Sequence, residues 1–472
     1  MSEHVALGAP SLALERASES AFDSHALLER IAKDLSRVES TAPFVALAWP
    51  VPRVPSERLL GAERVGTAVL WAPPGDDEVC GLGAAFALSA QGAGRFQSIQ
   101  AQAQAAFAEL DAGRCEGALA PRFLGGFAFQ VGQAEHGLWQ GFGDAHFVLP
   151  QISYVKSRDG AWLRLVVPSA GWDRAAFRAR WEAPLTRALQ ALFTPSSAPE
   201  AARELARDER SPEAWAELVS AIQEEIKSGH AQKIVAARRV SLSLDRELLP
   251  EVVQARLRED APESTRFAFR LGQATFLGAT PEQLVQKRGF ELRTEAVAGS
   301  INADDASAAE HLLQSDKDSR EHEFVVREIL RVLEPLTSEL LPASQREVHR
   351  LRTVLHLRTP IRGKLREASH VLELVGKLHP TPAVGGVPTR AALAFITKHE
   401  PDERGWYTGP VGWFDAAGDG RFVVALRSGV VSGERAELYA GAGVVQDSNA
   451  PSEFAETRWK LAALLGALGV SA

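Results

Sequence analysis

"RFVVALRSGVVSGERAELYAGAGVVQDSNAPSEFAETRWKL", residues 421–461, changes its pattern in mid-course. The first part is apolar, rich in Val, Ala and Gly, and broken by the short turn "SGER", so it reads as strands joined by a hairpin. Pro451 then suits the first position of a helix, because it has no N–H to lose there and its φ is already helical. In that helix Glu453, Glu456 and Lys460 fall three and four residues apart, on one face. An exposed face with an i, i+4 Glu–Lys pair gives this pattern, and so do a cation and a carboxylate bound side by side. The stretch alone leaves both open.

The same alternation extends outward. "TRFAFRLG" with "ATFLGAT", "GPVGWF", and, nearer the start, "FVALAWPV", "GTAVLWAPP" and "FLGGFAF" all read as strands. "HFVLPQISYVKSRDGAWLRLVVPS" reads as a hairpin with Asp159-Gly160 at its turn. "SPEAWAELVSAIQEEIKSG" has helical periodicity between a Ser211-Pro212 start and a Gly229 stop. Further helices are predicted over about 306–335 and 367–378. Between the halves, "TPSSAPEAARELARDERSPEAW", residues 194–215, has little to bury and reads as a connector with some helix, dividing the chain near 200. Hairpin-linked strands mixed with helices predict an α+β fold with largely antiparallel sheets.

Composition narrows the function. The 472 residues are 45% hydrophobic and 24% charged, the balance of a globular protein. A net charge of −8, with no basic cluster, argues against a nucleic-acid-binding surface. "MSEHVALGAPSLALERASES" lacks the basic start and apolar core of a signal peptide, and no apolar run is long enough to cross a bilayer. Two cysteines, Cys80 and Cys115, make neither a disulfide framework nor a zinc site. A cytoplasmic protein is expected, without membrane attachment.

Several stretches carry candidate chemistry. In "SDKDSREHEFVVREI", 315–329, Glu321, Phe324, Val325 and Glu328 share a helix side, which places a carboxylate beside an apolar stripe. Such a carboxylate is costly unless paired or bound to a metal, and Mg²⁺ favours a few carboxylate oxygens. A solvated acidic helix fits the pattern equally well. "RFVVALRSGVV" places Arg427 inside an apolar strand, where its planar fork requires an anion, either an internal Glu or a ligand carboxylate. Tyr407 in "RGWYTGPVGW" offers a hydroxyl to the same grip. "FLGATPEQLV" predicts a helix start at Pro281 with Glu282 in its first turn, where a glutamate also complements the helix dipole. Lys233 opens the strand "KIVAARRV", and lysine there is ordinarily exposed. His356 in "VLHLRTP" and the proline-punctuated "KLHPTPAVGG", which holds Ala383, read as structural or functional alike.

In order, the segments "KIVAAR", "GATPEQL", "TEAVAGS", "SDKDSREHEFVV", "HLRTPIRG", "LHPTPAVGG", "RGWYTGPVGW", "VALRSG" and "YAGAGVVQDSNAPSEFAETRWK" resemble the chorismate-utilising enzymes. That family contains isochorismate synthases, salicylate synthases, anthranilate synthase large subunits and aminodeoxychorismate synthases. The resemblance covers residues 205–465, the expected chorismate-binding catalytic region. It implies a single large, two-lobed α+β unit in which two mainly antiparallel sheets are flanked by helices and residues 1–200 complete the fold. It further implies a Mg²⁺ ion held by Glu321 and Glu456, with Glu453 close by. Lys460 would help to hold the ring carboxylate of chorismate, and Tyr407 and Arg427 the enolpyruvyl carboxylate. Gly441 and Gly443 would let the backbone approach the substrate, and His356 and Ala383 fall among the substrate-binding positions.

Two positions discriminate within the family. Lys233 matches the isochorismate and salicylate synthases, where it activates water, while ammonia-using anthranilate synthases carry an amide there. Aminodeoxychorismate synthases place a nucleophilic lysine in a "PIKGT"-like motif, and here Ala298 in "AVAGS" takes that position. With Lys233 as base and Glu282 as acid, the resemblance implies a Mg²⁺-dependent isochorismate synthase, expected to be monomeric and without a glutamine amidotransferase subunit. "TEAVAGS" and the long first half point to the menaquinone-pathway kind. The alternatives are a siderophore-pathway isochorismate synthase, a salicylate synthase, and an inactive homologue serving as a binding subunit.

Overall fold

Strands from both halves of the chain interleave in two sheets. The computed structural model describes residues 22–471 apart from 116, 195–199, 304–306, 344 and 353. The N-terminal stretch read for a signal peptide, part of the expected connector, and the start expected for the helix at 306 therefore lie outside the described residues.

Among the described residues the larger sheet has thirteen strands. It runs from an edge at Glu204–Glu209 through Lys233–Leu244, Arg435–Val444, Ser428–Ser432, Ala274–Thr280 and Thr265–Leu271. It continues into Ala68–Ala72, Glu78–Leu82, Ile152–Lys156, Ala161–Pro168, Phe44–Pro50 and Leu110–Arg114, while Gly386–Val387 pairs with the start of Lys233–Leu244. The smaller sheet has ten strands. Thr337–Pro342, Val354–Leu365, Glu291–Asn302, Gln283–Arg288, Gly420–Val424 and Pro410–Asp415 lead into Arg122–Phe127, Ala145–Leu149 and Phe86–Ala90, with Glu347–Arg350 beside Val354–Leu365. Among the described strands only Phe44–Pro50 and Leu110–Arg114 pair in parallel, so the expected α+β fold with mainly antiparallel sheets is the one observed.

Apolar side chains from both sheets, including Ala46, Val166, Phe127, Phe147 and Phe422, form one core with the helices Pro212–Lys227, Asp316–Leu333 and Val371–Leu378. A second core lies under Ser24–Leu35, Ala183–Phe193, Pro250–Asp260 and the end of Ala450–Leu468. Local signals set several boundaries. Ser211 accepts a hydrogen bond from the N–H of Ala214 ahead of Pro212, and Asn449 accepts one from Ser452 ahead of Pro451, so both proline starts carry a side-chain cap.

Four expectations change. The run read as a connector contains the edge strand Glu204–Glu209, which borrows its partner from Lys233–Leu244 instead of burying a face of its own. "HFVLP" is not an arm of the hairpin: Ala145–Leu149 pairs with Arg122–Phe127 in the smaller sheet, and only Ile152–Lys156 and Ala161–Pro168 form the hairpin, in the larger. The long helix over 306–335 is two helices, Ala308–Gln314 and Asp316–Leu333, separated at Ser315, which caps the second by accepting from the N–H of Asp318.

The fourth change matters most for the site. "FLGATPEQLV" holds no helix: Ala274–Thr280 ends in the larger sheet and Gln283–Arg288 begins in the smaller. "RFVVALRSGVV" is likewise two strands, Gly420–Val424 in the smaller sheet and Ser428–Ser432 in the larger. Both segments cross between sheets at the same place. There Thr280 Oγ1 donates to the Val424 carbonyl (2.6 Å), the Val424 N–H donates to the Glu282 carbonyl (3.1 Å), and the Ala279 N–H donates to the Arg427 carbonyl (3.2 Å). Pattern alone cannot tell one long apolar strand from two short ones in different sheets, because an apolar run carries no mark of which sheet will bury it.

Candidate active site

Beside these crossings, between the two sheets, lies a cavity of about 270 Å³. The helices Asp316–Leu333 and Ala450–Leu468 contribute acidic side chains to its wall. Every candidate residue named from the sequence lines it: Lys233, Glu282, Glu321, His356, Ala383, Tyr407, Arg427, Gly441, Gly443, Glu453, Glu456 and Lys460.

Lys233 enters from the larger sheet. Its strand pairs antiparallel with Arg435–Val444, with Val235 opposite Gly443 and Ala237 opposite Gly441. Side chains alternate along a strand, so Lys233 shares the face of Val235 and passes over Gly443. A Cβ at Gly443 would lie 2.7 Å from Lys233 Cε and 3.1 Å from Nζ, and one at Gly441 would lie 2.7 Å from the Ala236 carbonyl oxygen. Backbone approach requires glycine at Gly441, while a Cβ at Gly443 would push the end of the Lys233 side chain aside. The Lys233 side chain is buried, contrary to the ordinary expectation for a strand-opening lysine, and its Nζ lies 3.5 Å from Glu321 Oε2.

Glu282 is buried at the crossing, and among the described residues no ion pair holds its carboxylate. Burial, reinforced by the negative charge of Glu295, pushes its carboxyl up to about 8 despite Lys233 and Lys460. It therefore carries a proton at neutral pH.

Arg427 occupies the second crossing in a left-handed backbone conformation (φ 49°), not the interior of a strand. Burial lowers its guanidinium to about 10, so it remains a cation. Its Nη2 donates to His356 Nε2 (3.3 Å), and His356 Nδ1 lies 2.9 Å from Ser300 Oγ. Because arginine has no acceptor, this contact requires Nε2 to be the unprotonated nitrogen and places the proton on Nδ1. Burial and the neighbouring Arg427 charge hold His356 well below its usual range, hence neutral. Tyr407 stacks on Tyr439 at 5.3 Å and 20°, and burial keeps its hydroxyl protonated.

The acidic helices supply three glutamates, each beside a lysine. Glu321 lies near Lys233, Glu453 Oε1 accepts from Lys317 Nζ (2.8 Å), and Glu456 Oε1 lies 2.5 Å from Lys460 Nζ. Lys460 also donates to the Gly441 carbonyl (2.9 Å), so the i, i+4 pair read from the sequence turns inward. Burial raises the Glu321 carboxyl, opposed by Lys233 and Lys317. Among the described residues no three acidic or histidine donors converge into a ready-made metal cage. The donors nevertheless suit a small hard cation: Lys317 Nζ reaches Glu453 on one helix and approaches Glu321 Oε1 on the other at 4.0 Å, so one positive charge already serves both.

The sequence reading missed Lys317, Asp318, Ser300, Tyr439 and Trp459, which also line the cavity. Lys317 had a visible signal, since it stands four residues before Glu321. Ser300 had none, because a bulge at Gly299 (φ 79°) shifts the register between Ala298 and Ser300.

Fold and site together define an enzyme with a charged cavity between its two sheets. The chorismate binding enzyme family model matches residues 30–469, and the chain belongs to that family. It is 36% identical over 435 residues to the "Salicylate biosynthesis isochorismate synthase" of Pseudomonas aeruginosa, covering 90% of each chain. With the Bacillus subtilis "Isochorismate synthase MenF" it shares 34% identity over 366 residues, 75% of each. Among solved structures, the menaquinone-specific isochorismate synthase MenF of Escherichia coli superposes with a TM-score of 0.77 at 26% identity, over 94% of this chain and 100% of that one. Anthranilate synthase component I of Streptococcus pneumoniae shares the fold, with a TM-score of 0.66 at 19% identity over 90% and 93% of the two chains. Among the described residues no helix is long and apolar enough to cross a membrane.

Proposed function

We propose that the protein is an isochorismate synthase, adding water at C2 of chorismate with loss of the C4 hydroxyl. The observation that carries this reading is that Glu282 and Lys233 are both buried and line the same cavity, with burial raising the Glu282 carboxyl. Lys233 Nζ, when neutral, takes a proton from water as the water oxygen bonds to C2. The two ring double bonds shift toward C4, the C4–O bond breaks, and Glu282 delivers its proton so that the hydroxyl leaves as water. One water enters and one leaves, so the net reaction is an isomerisation. Proton return from Glu282's surroundings and loss from Lys233 restore both groups.

Arg427, fixed by His356, and Tyr407 bind the enolpyruvyl carboxylate, and Lys460 contributes positive charge at the ring carboxylate. Glu321 and Glu456, with Glu453 alongside, would hold Mg²⁺, which when bound neutralises substrate charge and orients the ring carboxylate. Ala298, where a lysine nucleophile would be needed, supports water as the attacking group. The relatives named for isochorismate synthesis support the same reaction.

Purified protein given chorismate and Mg²⁺ should yield isochorismate, accelerated by neither glutamine nor ammonia, and excess EDTA should abolish turnover. Anthranilate formed with ammonia would overturn the nucleophile, and full turnover in EDTA the metal. We place the product in menaquinone formation, supported by the likeness to both MenF proteins. Supply of a salicylate-forming route is the second reading, favoured by the Pseudomonas aeruginosa relative. Deleting the gene and measuring menaquinone and salicylate separates them. A cytoplasmic monomer acting without an amidotransferase partner completes the proposal, with sizing chromatography as the check on its oligomeric state.

A further inference from the structure

We infer that Lys317 is a built-in competitor for the divalent cation, a positioning residue that occupies the metal-binding carboxylates until a metal displaces it. The inference rests on the proposed assignment of Glu321, Glu453 and Glu456 to the metal. Lys317 stands in the first turn of the helix Asp316–Leu333, and its ammonium crosses the cavity mouth to Glu453 on the C-terminal helix. The contact is a charge-assisted hydrogen bond of 2.8 Å onto a carboxylate that is almost wholly buried, with Glu321 Oε1 at 4.0 Å. Lysine and a hard cation both seek these oxygens, and one oxygen in direct contact with the ammonium is poorly placed to ligate a metal at close range.

The other two lysines are held differently. Lys233 is buried against Gly443, and Lys460 is fastened to the Gly441 carbonyl as well as to Glu456. Lys317 has a side chain 37% exposed, and among the described residues its ammonium contacts are to the two glutamates, so its four-carbon stem can swing into water by releasing those alone. It is the lysine of the three that can yield. Its presence weakens cation binding to the protein alone while leaving the carboxylates neutralised in the resting site.

Mn²⁺ serves as the probe, because binding removes the free-ion signal in electron paramagnetic resonance and requires no turnover. Titrations without chorismate compare the wild type with Lys317→Met, Lys317→Gln, Lys317→Arg and Glu456→Gln, each checked for folding by circular dichroism. Lys317→Met and Lys317→Gln should bind Mn²⁺ at least about fivefold more tightly than the wild type, the gain of releasing a partly exposed charge-assisted contact. Lys317→Arg should stay near wild-type affinity, because it keeps the competing charge. If Glu456→Gln weakens binding but both neutral variants match or fall below the wild type, the competitor role is overturned while the metal site stands. If Glu456→Gln binds as the wild type does, the metal assignment fails and the inference with it.

Discussion

Lys233 and Glu282 face one cavity from walls built in opposite ways. Lys233 projects from a regular strand, is threaded over a glycine, and has a carboxylate 3.5 Å away. Glu282 sits where the chain passes from one sheet to the other, and burial with a neighbouring negative charge outweighs Lys233 and Lys460 in setting its protonation. The difference teaches how one cavity can hold two unlike titratable groups. A buried charge is tolerable when a partner of opposite sign accompanies it, whereas a buried carboxyl left without a cation in contact becomes neutral. One wall sets a lysine beside a carboxylate, and the other keeps a carboxyl out of contact with any cation among the described residues.

The comparison breaks most sharply by removing either group. Lys233→Ala and Glu282→Gln should each lower turnover by at least about 10²-fold, the usual scale of a positioned acid or base, with chorismate still bound. Steady-state rates together with equilibrium binding check this, and near wild-type turnover in either variant would remove its role.

Crowding the lysine wall should cost less. Gly443→Ala places a methyl against Lys233 Cε, so the ammonium must move; turnover should fall by about 10- to 100-fold, as for misplaced catalytic groups. Unchanged kinetics would show that Lys233 has slack. The glutamate wall responds to pH instead. The proposed acid role needs Glu282 protonated, and its carboxyl should titrate near 8, whereas the proposed base Lys233 gains from rising pH, so the carboxyl itself is the readout. A protonated-carboxyl infrared band, absent in Glu282→Gln, should persist at pH 7, and its loss already at pH 5 would contradict the buried acid.

The smallest expected effect lies behind the substrate grip. Tyr439 receives a hydrogen bond from Trp139 Nε1 (2.9 Å), donates to Glu437 Oε2 (3.2 Å) and stacks on Tyr407. Tyr439→Phe should destabilise the fold by about 1 kcal/mol and raise KM more than it lowers kcat. Thermal unfolding and initial rates measure the two parts, and a kcat loss without a KM change would place Tyr439 in the chemistry itself.

The parts of the site carried on regular elements were readable in advance. Glu453, Glu456 and Lys460 share a face because a capped helix begins at Ala450, and Glu321 lies toward the core because its helix repeats every 3.6 residues. Glu282 and Arg427 were seen as functional, yet one was expected in a helix turn and the other within a strand. Both occupy sheet-to-sheet crossings held by hydrogen bonds between segments about 145 residues apart in the chain, such as that from Thr280 to Val424, separated by 144. No local pattern encodes such a bond.

The sequence by itself determined the α+β class, the helix carrying Glu453, Glu456 and Lys460, and the order of segments that marks the family. Periodicity, proline starts and side-chain caps act over a few residues and survive in any single window of the chain. Only the tertiary structure decided which apolar runs divide between sheets, that Lys233 is buried, that Lys317 holds Glu453, and that Glu282 keeps its proton. Each of these depends on what distant segments place around a side chain, because desolvation and ion pairing are properties of surroundings and not of the residue alone.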